Sequence, residues 1–305
     1  HSKGLSKRPI KLVKSAVANF EGIFDGNNHK ITGIYINNTV SDGTAFFKSI
    51  GGTVRNLGIE DSYFYGTDNS TASLVINNSG TVENCYSSAT VGSTHYNSAG
   101  LIGYNFANVD SCYYSGDLYV GNMYTGGVTS GNSSEGKITN TYFAGSLTEV
   151  KNASYFGAVS STNYGLVENC YNLSNFETNG SGHGGIIGLN SGTIKGCYNK
   201  GNLVNTNYNL GGIAGSNTGI IENCYNLGDI SGGTVVGGIA SSVKENGVVK
   251  NCYNLGEITS TSDFVGGISG ENRAVIVISY SLGTATYGEE KGNGICKFAF
   301  KTSNT

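Results

Sequence analysis

The chain is poor in several residue types. It contains no Trp, one Pro and one Met among 305 residues, and only 13% of its residues are charged. A net charge of −3 offers no basic surface for nucleic acid or for an anionic membrane. No stretch approaches the roughly 18 apolar residues of a membrane span, and the first 18 residues lack the apolar middle of a secretion signal. We expect neither a nucleic-acid partner nor membrane insertion.

The abundant residues indicate a repetitive β-structure. There are 48 Gly and 20 Tyr, and runs of Asn, Ser and Thr separate short apolar pairs, which is not a helical composition. Such a Gly content can mark a flexible low-complexity segment. Ile, Val, Leu, Tyr and Phe nevertheless recur throughout the chain and can be buried, so an ordered fold is favoured.

Two columns of residues recur with a common step of 23 to 30 residues. The first column consists of Gly22, Ala45, Ser73, Gly100, Gly127, Gly157, Gly185, Gly212, Gly238, Gly267 and Gly294. The second consists of Ile34, Leu57, Cys85, Cys112, Thr141, Cys170, Cys197, Cys224, Cys252 and Ser279. Two independent columns with one step identify an internal repeat.

Each repeat contains three strand-like pieces. They pass through Gly-Gly-Ile, Val-x-Asn-Cys-Tyr and Leu-Gly-x-Ile, with Gly, Asn and Ser at the corners. About 27 residues with three short strands and no helix fit one turn of a parallel β-helix, and parallel crossovers are almost always right-handed. We predict an all-β, right-handed parallel β-helix of about ten turns over residues 20–298. Residues 1–19, with several basic side chains, are predicted to be a solvated cap or linker, and residues 299–305 a tail.

Six of the seven cysteines occupy one position of the repeat: Cys85, Cys112, Cys170, Cys197, Cys224 and Cys252. Leu57, Thr141 and Ser279 take the same position in other turns, which a disulfide framework would not tolerate. The Cys-x-x-Cys spacing of a metal site is missing. We therefore predict a structural ladder of buried thiols, with no metal and no cofactor. Cys296 aligns with Ala214 of the Gly-Gly-Ile strand and is predicted to lie in the core.

A column of charged residues lies two positions before the cysteines: Arg55, Glu83, Asp110, Thr139, Glu168, Lys195, Glu222, Lys250 and Val277. The charges alternate in sign from Glu168 to Lys250, which places opposite charges on adjacent strands. Each exposed pair contributes about 0.2 to 1 kcal/mol, so the column is predicted to fix register rather than bind a ligand.

A column of tyrosines lies one position after the cysteines: Tyr86, Tyr113, Tyr142, Tyr171, Tyr198, Tyr225, Tyr253 and Tyr280. Stacked phenols could present an aromatic strip to sugar rings, or could shield the sheet and pack on one another. The regularity of the column favours the second interpretation.

The opening segment from Phe20 to Ile31 reads Phe-Glu-Gly-Ile-Phe-Asp-Gly-Asn-Asn-His-Lys-Ile, and repeats such as Gly211–Gly215 and Ile221–Asn226 follow it. This combination resembles the GLUG-motif family from about Phe20 to Phe298. The resemblance implies a β-helix in a secreted or wall-attached bacterial protein, as in adhesin-like proteins and in the non-catalytic region of IgA-specific zinc metallopeptidases. It supplies no ligand. Protease activity does not carry over, because Glu follows none of His1, His29, His95 and His183.

Two acid pairs on neighbouring turns come nearest to a catalytic site: Glu83 with Asp110, and Asp229 with Glu257. A separation of about 5 Å between the two carboxyl groups would suit a retaining glycosidase, and β-helices do host carbohydrate-active enzymes. Neither pair is predicted to have an Arg or His beside it, and both positions accept Thr, Asn or Lys elsewhere. Asp25 and His29 are predicted to fix the opening turn.

The leading hypothesis is a non-catalytic extracellular module of a bacterial surface protein. It would bind a glycan or a host protein, serve as a rigid spacer, and be a monomer within a larger parent chain. The alternatives are a polysaccharide lyase or glycosidase, and a scaffold region of a larger secreted peptidase.

Overall fold

Short apolar-polar alternations, separated by Gly and Asn, fold into strands that coil as a parallel β-helix. The computed structural model describes residues 10–12, 17–38, 43–67, 70–121, 123–149, 153–288, 290–292, 294–295 and 298–299. No helix in these ranges is long and apolar enough to cross a membrane. Each turn passes in order through three sheets, named A, B and C, in which strands pair in parallel with their equivalents on neighbouring turns. In sheet A this pairing is interrupted between Ser146–Glu149 and Phe176–Thr178.

Sheet A has two stretches. The first consists of Ile10–Leu12, Ile34–Asn38, Tyr63–Gly66, Thr90–Ser93, Asp117–Val120 and Ser146–Glu149. The second consists of Phe176–Thr178, Leu203–Asn205, Ile230–Gly232, Ile258–Ser260 and Ala285–Tyr287, with Glu290–Gly292 antiparallel at its end. Beside the second stretch lies a small four-stranded sheet of His183–Gly184, Leu210–Gly211, Val235–Gly237 and Phe264–Gly266.

Sheet B is continuous along the described molecule. Its eleven strands are Val17–Phe20, Phe47–Ile50, Val75–Asn78, Ile102–Asn105, Thr129–Asn132, Ser160–Asn163, Ile187–Asn190, Ala214–Asn217, Ala240–Val243, Ser269–Asn272 and Phe298–Ala299.

Sheet C also runs the length of the coil. It opens with two unbroken strands, Ile23–Thr32 and Thr53–Glu60. Eight pairs follow: Thr81–Glu83 with Tyr86–Ser87, Asn108–Asp110 with Tyr113–Tyr114, Lys137–Thr139 with Tyr142–Phe143, Leu166–Glu168 with Tyr171–Asn172, Thr193–Lys195 with Tyr198–Asn199, Ile220–Glu222 with Tyr225–Asn226, Val248–Lys250 with Tyr253–Asn254, and Val275–Val277 with Tyr280–Ser281. The predicted single Val-x-Asn-Cys-Tyr strand is therefore broken at its Asn, which adopts a positive φ such as 55° at Asn223.

The core is one continuous apolar column inside the coil. In sheet C, for example, Val167, Ile194 and Ile221 lie above one another and are fully buried. The corner before each sheet C strand is tight: a Cβ at Gly219 would lie 2.1 Å from the Gly192 carbonyl oxygen, so glycine recurs there.

The structure confirms the parallel β-helix of about ten turns and corrects three assignments within the predicted columns. Gly157 pairs with Gly126 and Gly184, so Ala158 is the member of the first column. Gly22 lies at the corner before sheet C, because its carbonyl accepts from the Thr53 amide. Ile34 pairs with Ile10 in sheet A, so it does not belong to the sheet C column that contains the cysteines.

The predicted end segments fall largely outside the described residues. Within residues 1–19, the described parts already contribute strands, since Ile10–Leu12 pairs with sheet A and Val17 with sheet B. Residue 299 closes sheet B. Residues 300–305 and Cys296 lie outside the described residues.

Candidate ligand-binding surfaces

The six column cysteines are free, buried and in register. Three of the sulfurs accept a hydrogen bond from the backbone amide of the preceding turn: the N–H groups of Cys85, Cys170 and Cys197 donate to Sγ of Cys112, Cys197 and Cys224, each at 3.4 Å. Thr141 makes the same contact with oxygen, accepting from the Cys112 N–H at 3.2 Å. Thr and Ser can replace Cys because each is a small side chain that accepts the same hydrogen bond, whereas the buried Leu57 makes only apolar contacts at this position in an early turn.

Burial keeps three of these thiols in their neutral form. It raises the pKa of Cys112, Cys170 and Cys224 well above the ordinary thiol range. A neutral thiol enclosed by strands is a poor nucleophile and a poor metal ligand. Across the described residues, no three or more His, Cys, Asp or Glu side chains are grouped to hold a metal ion.

The charge column lies on the outward face of sheet C, and its members pair across turns. Lys195 Nζ lies 2.9 Å from Glu168 Oε1, and Lys250 Nζ lies 2.7 Å from Glu222 Oε2. At the first turns Arg55 Nε contacts Asp25 Oδ2 at 2.9 Å. These side chains neutralise one another, which leaves a surface of nearly balanced charge.

The tyrosine column lies beside the charges, and its rings cover one another. Neighbouring centroids are 4.8 to 5.5 Å apart and the ring planes lie within 10° of parallel. Tyr86, at the first turn of the stack, donates its hydroxyl to Glu60 Oε1 at 2.7 Å, which raises its pKa to about 12. Because the flat faces are occupied within the stack, only ring edges remain for a sugar.

The Glu83 and Asp110 pair is held by its neighbours. Asp110 accepts hydrogen bonds from the side chains of Thr139, Ser111 and Asn140. Burial opposes its ionisation, but these hydrogen bonds outweigh burial and lower its pKa. Arg55 Nη1 lies 3.7 Å from Glu83, which corrects the prediction that no Arg stands beside this pair. A glycosidase acid needs a raised pKa, so this environment is wrong for that role.

The Asp229 and Glu257 pair belongs to a ladder that links side chains to the main chain. Asp229 Oδ1 accepts from the Glu257 amide at 2.9 Å, and the Asp229 amide donates to Asn202 Oδ1 at 2.9 Å. Asn175 repeats the contact one turn earlier, at 2.7 Å to the Asn202 amide. The carboxylate of Asp229 therefore replaces an Asn amide in a structural contact.

Asp25 organises the opening turn. Its Oδ1 accepts from the Asn27 amide at 2.9 Å and from Asn56 Nδ2 at 3.0 Å. The hydrogen bond from Asn56, followed by that from Asn27, lowers its pKa. His29 is exposed and pairs with Leu57 across sheet C.

Two ladders of buried asparagine side chains were not predicted from the sequence. In each, the Nδ2 of one Asn donates to the Oδ1 of the next at 2.7 to 2.8 Å. The first ladder ends the sheet B strands: Asn78, Asn105, Asn132, Asn163, Asn190 and Asn217. The second follows the tyrosines: Asn172, Asn199, Asn226 and Asn254. The ladder asparagines recur at a regular spacing in the sequence. The many other asparagines, which form corners, made that spacing hard to recognise.

An irregular surface lies on the outward face of sheet A in the early turns. One outward column contains Asn37, Tyr65, Gly92, Tyr119 and Thr148 in register. Gly92 thus stands between two tyrosines and provides no side chain at its turn. A Cβ there would lie 2.9 Å from Tyr65 Cδ2 and 3.9 Å from Tyr119 Cβ, so the Tyr65 ring leans over Gly92.

The result is a hollow of about 470 Å³, called here the tyrosine groove. The described residues that line it are uncharged: Tyr63, Tyr65, Thr90, Gly92, Ser93, Thr94 and Tyr119. A second hollow of about 320 Å³ adjoins it, shares Tyr63 and Thr90, and extends to Tyr35 and Asp61. The two hollows follow the sheet across several turns.

The aromatic rings along these hollows form a near-parallel series. The Tyr35 and Tyr63 centroids are 5.2 Å apart at 15°, and those of Tyr63 and Tyr65 are 6.4 Å apart at 12°. Burial raises the pKa of Tyr63, so its phenol stays neutral. Tyr119 is 42% exposed at the other side of Gly92. Aromatic surface with a few hydroxyls is the usual composition of a small-molecule site.

Comparison with protein families gives a match within one repeat of the chain. The family described as the GLUG motif matches residues 206–231. A solved structure named "putative immunoglobulin A1 protease", from Bacteroides ovatus, is similar at 16% identity and a TM-score of 0.34, covering 91% of this chain and 86% of that one. The search of curated proteins found no match.

Proposed function

We propose, from the premise that this chain is a GLUG-repeat β-helix, that it is a non-catalytic module on the outside of a bacterial cell. In this role it binds a glycan or a host protein and holds that ligand away from the cell as a rigid spacer. Ten turns at about 4.8 Å each give a rod roughly 50 Å long.

The observation that carries this proposal is the contrast between the ladders and the tyrosine groove. Charged, aromatic and amide side chains of the ladders contact their own equivalents one turn away, so they support the rod. The groove interrupts one such column at Gly92 and leaves uncharged aromatic surface open. A binding surface on a rigid scaffold is what an adhesion module requires.

The acid pairs favour a structural role over catalysis. Asp110 has a lowered pKa and Glu83 faces Arg55, while Asp229 bonds the next turn's main chain. With its lowered pKa, Asp110 is not prepared to donate a proton to a leaving group, which hydrolysis of a glycosidic bond needs.

A binding screen tests this proposal directly. The purified chain is applied to a glycan array and to immobilised host cell-surface glycoproteins, with the heat-unfolded chain as the control. A reducing-sugar assay on the same polysaccharides runs in parallel. We expect saturable binding that requires the folded chain, without release of reducing ends.

Two results would contradict the proposal. Absence of binding in both arms would remove the adhesive role. Polysaccharide cleavage that disappears in Glu83→Gln or Asp110→Asn would show an enzyme instead.

A further inference from the structure

We infer that the tyrosine groove binds one uncharged pyranose ring of a glycan against the aromatic surfaces of Tyr65 and Tyr119. This inference rests on the proposed binding function and names its site and ligand class. It arises from the placement of two outward tyrosines two turns apart with a glycine at the intervening turn.

The spacing of the rings separates this site from the tyrosine column of sheet C. There the rings repeat at every turn with centroids about 5 Å apart, so no ligand can enter between them. At Gly92 one ring of the series is missing, so the Tyr65 ring leans over Gly92, and the strands that carry Tyr65 and Tyr119 lie about 9.6 Å apart. The hollow of about 470 Å³ that both tyrosines line has room for one ligand ring.

The lining of the groove selects a neutral and hydroxylated ligand. Aromatic faces bind the C–H surface of a sugar ring, while hydroxyls of Thr90 and Thr94 match its polar edge. Among the described residues, those that line the groove are all uncharged, so a sulfated or uronate sugar would lose hydration without a counter-charge.

A glycan chain has room to continue beyond this ring. The adjoining hollow shares Tyr63 and Thr90 with the groove and leads toward the near-parallel Tyr35 ring. We therefore expect several linked sugars to bind more tightly than one.

Calorimetric titration with defined probes tests the site. The probes are the neutral hexasaccharides of glucose, mannose and xylose, and an oligogalacturonate as the charged comparison. We expect a neutral hexasaccharide to bind. Tyr65→Ala or Tyr119→Ala should raise its Kd by about tenfold. Gly92→Tyr, which restores a ring at the empty turn, should abolish binding.

Two matched tyrosine variants serve as controls. Tyr164→Ala removes a ring that is 53% exposed beyond the end of a sheet B strand, and Tyr171→Ala opens the stacked column of sheet C. Both should leave Kd within twofold of the parent, and thermal unfolding of all variants verifies the fold.

The outcomes distinguish the site from the function. If the parent binds a neutral hexasaccharide and Tyr119→Ala binds it equally, the inferred site is wrong while the adhesive function stands. If Tyr171→Ala alone loses binding, the ligand lies on sheet C. If the parent binds only the oligogalacturonate, or only protein, the neutral-glycan assignment is overturned.

Discussion

At the scale of single residues, each turn of sheet C depends on one residue with positive φ. Ten residues occupy this corner: Asn28, Asn56, Asn84, Ser111, Asn140, Asn169, Gly196, Asn223, Asn251 and Ile278. Asn and Gly tolerate the left-handed region, whereas a β-branched residue is strained there. Ile278, with φ 46° and 80% exposure, is the exception.

Ile278→Asn should therefore stabilise the last turn. The expected gain is about 1 kcal/mol, because the strain of a β-branched side chain disappears and no buried contact is lost. Thermal unfolding followed by circular dichroism measures it. Asn251→Ile is the reverse control and should lower the midpoint; an unchanged midpoint in both variants would show that the corner does not select its residue.

His183 is the one fully buried imidazole in the described chain, within an inward column that continues as Leu210 and Val236. Its Nδ1 accepts the Phe156 amide at 2.9 Å, which requires that nitrogen to be unprotonated. Burial lowers its pKa from 6.5 to about 4.

This lowered pKa predicts an acid-sensitive stability. The unfolded chain binds a proton at His183 below about pH 6.5, whereas the folded chain does not until about pH 4. The stabilisation is therefore complete above pH 6.5 and is lost as the pH falls toward 4, on the order of 3 kcal/mol. Urea unfolding at pH 7.5, 6, 5 and 4 measures the slope of the free energy of unfolding against pH. His183→Leu should flatten it over that window; an equal slope in the variant would assign the effect to other groups.

At the scale of elements, the asparagine ladder at the end of sheet B joins neighbouring strands. Asn163 Oδ1 accepts from Asn132 and its Nδ2 donates to Asn190, both at 2.8 Å. The ladder stops at Val243, which pairs between Asn217 and Asn272.

The substitutions Asn163→Val and Val243→Asn should have different effects on the free energy of unfolding. Asn163→Val leaves buried amide groups of Asn132 and Asn190 without one partner each, and should cost about 1 to 3 kcal/mol. Val243→Asn extends the ladder and should cost far less or stabilise. Denaturant unfolding of both variants compares them; equal losses would mean that the amide chain adds nothing beyond packing.

The same elements show how far the sequence could predict the structure. Cysteine and tyrosine columns recur at steps that reveal the turn, so sheet C was placed correctly from Leu57 onward. The predicted sheet B column was wrong at Gly157, because that turn is long and Ala158 occupies the position that the second Gly of the Gly-Gly pair takes in other turns. The tyrosine groove was not predictable, since Gly92 becomes a gap only when sheet A register sets it between Tyr65 and Tyr119.

At the scale of the whole molecule, each turn pairs its strands with those of the turns beside it. Inner turns are held on both sides, whereas terminal ones have fewer neighbours, so local opening should begin at the ends. Hydrogen exchange followed by mass spectrometry should show strongest protection around Val167 to Ile221 and weakest protection over Val275 to Ser281. Uniform protection along the chain would instead indicate all-or-none opening.

The in-register columns also affect how such a protein can change its reach. Because both ends of a turn present the same pattern of side chains, an extra unit of about 27 residues would fit between two existing turns without a new kind of interface. Gain or loss of one unit by unequal recombination would lengthen or shorten the rod by about 4.8 Å. Reach would thus be inherited in discrete steps, each set by repeat number.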